Sequence, residues 1–113
     1  MKKFFLLFLV SFYPLVASTQ AIAAKQLEQL WQVSDLATPE SVLYVADKKS
    51  SFLFVALIDG QGDQADGKGG IAKLTTDGKV IDKDWITGLN APKGMVIHNN
   101  QLYVADITEL VII

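Results

Sequence analysis

The chain has no cysteine and no arginine. The first absence excludes disulfides, thiol catalysis and zinc–thiolate sites. The second argues against a nucleic-acid partner, because phosphate recognition leans on arginine and on a clustered basic face. Histidine is almost absent too: His98 stands alone. No Ser–His–Asp arrangement can be built, and its place beside Asn99-Asn100 at a turn marks His98 as a surface residue. Proline is scarce, and two of the three prolines, Pro39 and Pro92, each sit in a turn that precedes a repeated phrase.

Long apolar runs are also missing. The strongest, Phe4 to Val10, extends weakly through Phe12, Leu15 and Val16 but is interrupted at Ser11 and Pro14. It is too short to span a bilayer. Lys2 and Lys3 before it, the polar break Ser18-Thr19-Gln20 and the small-x-small site Ala21-Ile22-Ala23 complete the pattern of a secretory signal. Residues 1–23 are therefore expected to be removed, with cleavage after Ala23 or Ala24. Residues 24–113 remain as the exported domain, with no membrane segment. Loss of Lys2 and Lys3 leaves eight lysines against twelve acids, and the formal net charge moves from −2 to −4. A disulfide-free product behind a double-lysine leader fits a periplasmic or secreted location, the bacterial periplasm best.

What the mature chain does have is β pattern. Lys25 to Val33 places Leu27, Leu30 and Trp31 at helical spacing, and reads either as a helical turn or as an extended lead-in strand. After Pro39, Ser41 to Ala46 is β-branched and aromatic. Phe52 to Ile58 is a continuous apolar run, as for a strand buried on both faces. Asp59 to Gly70 is a loop with five of the eight glycines. Ile71 to Thr75 alternates like a half-exposed strand. Asp77-Gly78 supplies a hairpin turn, and Val80-Ile81 and Trp85-Ile86 lie on the returning strand. Met95 to Ile97, Gln101 to Ala105 and Leu110 to Ile113 give three further strands, the first two joined at Asn99-Asn100.

A phrase recurs in this pattern. Leu53-Phe54-Val55-Ala56 returns as Leu102-Tyr103-Val104-Ala105, about fifty residues on. Each copy follows a proline turn, Leu36 to Ser41 and Leu89 to Gly94. An internal repeat of that period, with four antiparallel strands per unit, is the plan of a propeller blade. The fold expected is all-β, with one complete four-stranded blade and part of a second. The rival is a small sandwich or barrel of about seven strands.

The phrases Pro39 to Tyr44, Gly69 to Leu74, Asp77-Gly78-Lys79, Trp85, Gly88 to Met95 and Leu102 to Asp106 together resemble the start of a six-bladed propeller. The family is the regucalcin–gluconolactonase (SMP-30/LRE-like) superfamily. Pro92-Lys93-Gly94 and Leu102 to Asp106 are also similar to NHL repeats. The resemblance covers nearly all of residues 24–113 and rests on turn and core residues. It implies a divalent cation, calcium or zinc, in a central channel, and hydrolysis of sugar lactones by a metal-polarised carbonyl. It implies ligands from a first-blade glutamate, middle-blade asparagines and a later aspartate. Glu40 matches the first-blade glutamate. The other ligands would fall beyond Ile113, and the apolar run Leu110 to Ile113 is expected to be the edge of a truncated propeller. That edge could otherwise pair in an oligomer. A single carboxylate does not hold calcium, which takes roughly six to eight oxygens, so this chain alone is expected to be inactive. A non-catalytic, NHL-like binding propeller is the other functional reading.

Other motifs carry less. Gly62 to Lys68 fits G-x-x-x-x-G-K, but Gly69 stands where the magnesium-binding hydroxyl belongs, and a strand pattern follows where a phosphate needs a helix. Gly60, Gly62 and Ala65 fail as a dinucleotide fingerprint for want of the same helix. Asp59, Asp63 and Asp66 are oxygen donors, but their spacing departs from a calcium loop. The loop reads best as a long blade connection. Asp106 is expected to cap a strand turn, and Trp31 and Trp85 to pack between strands.

Overall fold

The computed structural model describes residues 26–46 and 49–113. The leader reading of residues 1–23, along with Asp47 and Lys48 of the first polar turn, lies outside the described residues. Seven strands follow in order: β1 (Pro39–Ala46), β2 (Ser51–Leu57), β3 (Gly69–Thr75), β4 (Val80–Leu89), β5 (Pro92–His98), β6 (Gln101–Asp106) and β7 (Glu109–Ile112). They form two antiparallel meanders, β1-β2-β3-β4 and β5-β6-β7. The all-β expectation and the division into four strands and then three both hold.

Turn chemistry sets the registers. Asn99 and Asn100 take φ of 50° and 61° between the paired residues His98 and Gln101. Two positive φ angles are what a type I′ hairpin demands. Gly78 takes φ of 88° in the turn from β3 to β4, where the Gly78 amide donates to Thr75 O at 3.1 Å. The Trp31 ring lies on that turn: a Cβ on Gly78 would fall 2.7 Å from Trp31 Cε3.

Three expectations change. Gln26 to Leu36 forms neither helix nor strand, and Leu27 and Leu30 stand in solvent. Trp31, 42% exposed, covers the β3–β4 turn and does not pack between strands. β3 is not half exposed. Ile71, Ala72 and Leu74 are buried, because β3 lies between β2 and β4 with apolar cover on both faces. Its one charged residue, Lys73, reaches that position by laying its ammonium over aromatic rings.

The two cores show how the sheets stack. Phe54, Ile71 and Leu89 of the first sheet meet Leu102 and Val104 of the second. On the far side of the first sheet, Val55, Leu57, Ala72 and Leu74 are covered by Val33 and Leu36. Fully burying one such side chain contributes about 1.5–3 kcal/mol. Matching the repeated phrase residue by residue makes Leu53 and Val55 the counterparts of Leu102 and Val104, and Phe54 that of Tyr103. The Leu/Val face of the second sheet packs on the Phe54 face of the first, so the sheets stack head to tail. The matching outer face of the second sheet, with Val96, Tyr103, Leu110 and Ile112, is largely exposed.

Candidate functional site

Each unit opens on a proline, exposed at Pro39 and buried at Pro92, and then a bulge. In β1, Pro39 pairs with Leu57 and Ser41 with Ala56, leaving Glu40 between them without a partner. In β5, Pro92 pairs with Asp106 and Met95 with Val104, leaving Lys93 and Gly94. Proline lacks the amide a ladder uses, so it suits the first strand position, and a bulge re-aims the side chains beside it. The bulges meet: the Ser41 hydroxyl donates to Lys93 O at 2.6 Å. Glu40 is exposed beside a shallow depression of about 200 Å³ lined by Pro39, Ser41, Val42 and Val55.

The glycine loop folds over the same corner. Lys93 Nζ donates to Gly62 O at 3.0 Å, and the Gly67 amide donates to Asn90 Oδ1 at 3.2 Å. Within the loop, Asp66 Oδ1 accepts the Lys68 amide at 3.1 Å and Asp66 Oδ2 pairs with Lys68 Nζ at 3.5 Å. Asp66 is thereby committed to its own turn. Gly69 opens β3, so the element after the loop is a strand and not the helix a phosphate loop needs. Gly69 is also pressed beneath the second unit: a Cβ there would fall 2.5 Å from both Asn90 O and Pro92 Cδ. Only glycine allows this approach.

The turn leading into β5 is fixed by Asp106. Its Oδ2 accepts the Asn90 amide at 2.8 Å and its Oδ1 the Ala91 amide at 2.7 Å. Asp106 is 2% exposed, and these two donors satisfy its buried carboxylate. The capping role expected for it is observed. The first unit holds the same place differently. Leu57 replaces Asp106 in the repeat, and the Ile58 and Asp59 amides donate to Thr38 O and Ala37 O at 3.1 and 3.2 Å.

At this corner the structure brings together Glu40, Ser41 and Lys93. Glu40 offers one carboxylate, Ser41 is spent on Lys93, and Lys93 on the loop. Among the described residues no group of three or more histidine, aspartate or glutamate side chains could hold a metal ion. His98 lies at the opposite end of β5, exposed, with its ring 6.4 Å from that of Tyr103. The roles of Asn90 and Lys93 escape sequence reading, since the Asn-Ala-Pro-Lys-Gly turn signals only a turn. Away from the corner, a carboxyl titration is displaced. Asp77 is held below its ordinary value by the Thr75 hydroxyl, which donates to Asp77 Oδ1, with a lesser contribution from Lys79.

A second concave feature is aromatic. Phe54 stacks on Trp85 with centroids 4.1 Å apart, and meets Phe52 edge-on at 5.0 Å. Trp85 does pack between strands, reaching across β3 to β2. Among the described residues no helix is long and apolar enough to cross a membrane. Compared with protein-family models, with curated proteins and with solved structures, the chain matches none.

Proposed function

We propose that residues 24–113 are the opening blades of an exported SMP-30/gluconolactonase-like propeller, whose complete form is a metal-dependent sugar-lactone hydrolase with Glu40 among its cation ligands. The head-to-tail stacking of the two sheets in repeat register carries this reading. It orients both units alike and brings the starts of β1 and β5 together at Ser41, next to Glu40, as successive blades meet at a channel. The exposed face with Val96, Tyr103, Leu110 and Ile112 is where a third blade would pack. In this reading the present chain contributes one ligand and does not hydrolyse lactones by itself.

A binding propeller of the NHL type is the second reading; it needs no cation site, and among the described residues Glu40 belongs to no group of three or more potential ligands. The decisive experiment uses the longest product of the reading frame. Sugar-lactone hydrolysis is assayed with and without calcium or zinc, in the parent and in Glu40→Gln. The hydrolase reading expects metal-dependent turnover that Glu40→Gln abolishes, with melting unchanged to within about 0.5 kcal/mol, as for a surface substitution. Turnover indifferent to metal and to Glu40 would refute the ligand assignment. No turnover under any condition, with further blade phrases present, favours the binding propeller.

A further inference from the structure

At the end of β1 away from Glu40, the two sheets splay apart around an open cleft of about 400 Å³. Phe52, Phe54 and Trp85 line it from the first sheet, Ile97 and Leu102 from the second, with Asn100 as the polar group. The six residue steps from Glu40 to Ala46 put this cleft about 20 Å along the strand from the bulges, at ~3.3 Å per residue. Small-molecule sites are typically concave and mostly apolar, with a few placed polar groups.

The charge beside it is unbalanced. Lys73 Nζ stands 4.2 Å from the Phe52 ring centroid and 5.9 Å from that of Trp85, so its ammonium shares two rings with the cleft. Among the described residues, no carboxylate lies within ion-pair distance of it. Asp82 is its register partner on β4, but Asp82 Oδ1 accepts the Asp84 amide at 3.0 Å. Aromatic faces attract the cation but accept none of its three N–H donors in strong hydrogen bonds.

We propose that the inter-sheet cleft binds a small apolar carboxylate, its hydrocarbon or aromatic body against Phe52, Phe54 and Trp85 and its carboxylate on Lys73. The rings supply apolar contact and the half-buried ammonium supplies the matching charge. This site does not depend on the metal reading of Glu40.

The test uses 2-naphthoate as probe and 2-naphthylmethanol as its neutral counterpart. The full chain carries Trp31→Phe, leaving Trp85 as the sole indole. Quenching of Trp85 and calorimetry are expected to give one saturable site for 2-naphthoate. The alcohol, and 2-naphthoate on Lys73→Met, are expected to bind about tenfold more weakly, the worth of one charge-assisted hydrogen bond. Val45→Phe, at a half-buried position lining the cleft on the Phe52 face of β1, keeps Lys73 and fills the space; it is expected to abolish binding. Equal affinity for the acid and the alcohol would overturn the proposal. So would undiminished naphthoate binding by a folded Lys73→Met protein, or by a folded Val45→Phe protein.

Discussion

Asp106 Oδ1 accepts the Ala91 amide at 2.7 Å across fifteen residues of chain. With the Asn90 amide on its other oxygen, the carboxylate ties the end of β6 to the turn entering β5. Asp106→Ala leaves two amides without their acceptor and is expected to cost about 3 kcal/mol, since hydrogen bonds to charged groups contribute about 1.5–3 kcal/mol each. Urea denaturation measures it. A loss below about 1 kcal/mol would mean that water replaces the clamp.

Gly78 and Trp31 form a coupled pair. Gly78→Ala pays twice, once for φ of 88° and once for the Cβ placed 2.7 Å from the indole. The left-handed conformation alone costs an alanine about 1–2 kcal/mol. In a Trp31→Ala background only that part should remain. A double-mutant cycle by thermal melting should therefore show Gly78→Ala to be less damaging without Trp31, by an interaction of about 0.5 kcal/mol or more. Additive effects would place the ring elsewhere.

Thr75 and Asp77 make a prediction in acid. The folded-state pKa of Asp77 is lowered, first by the Thr75 hydroxyl and then by Lys79. A depressed carboxylate favours the folded state above its unfolded pKa, and that contribution disappears as pH falls through the folded pKa. Thr75→Val should raise the titration of the Asp77 carboxyl resonance toward its ordinary value in NMR, with the lesser Lys79 contribution remaining. The stability difference between parent and variant should be larger at about pH 6 than at about pH 2. Thr75 Oγ1 also accepts the Lys79 amide at 2.9 Å, so a pH-independent difference persists in acid. A difference of the same size at both pH values would remove Asp77 as the cause.

Much of the scaffold was legible because strands and tight turns are locally encoded. Asp77-Gly78 and Asn99-Asn100 announce positive φ, and the run from Phe52 to Ile58 announces burial on both faces. What escaped was decided by distant partners. Lys73 suggested an exposed face on β3, because nothing nearby in sequence shows that Phe52 and Trp85 will receive its ammonium. Likewise Leu27, Leu30 and Trp31 have helical spacing, yet Val33 and Leu36 do the packing. The corner was half legible. The proline turns placed Glu40 at a strand start, while its unpaired bulge position, the Ser41–Lys93 bond and the loop folded over them arise only when two units meet.

The head-to-tail contact between the sheets is directional. An interface that joins unlike faces has no built-in stopping point; it continues until rotation closes it into a ring or until something blocks an end. Val33 and Leu36 give the first sheet a partial cover of this kind, where a capping repeat in a solenoid would give a full one. The outer face of the second sheet has no comparable cover among the described residues. The molecule is thus a polar stack whose first outer face is covered in part, over Val55, Leu57, Ala72 and Leu74, while Val42 and Tyr44 on the same face stay open.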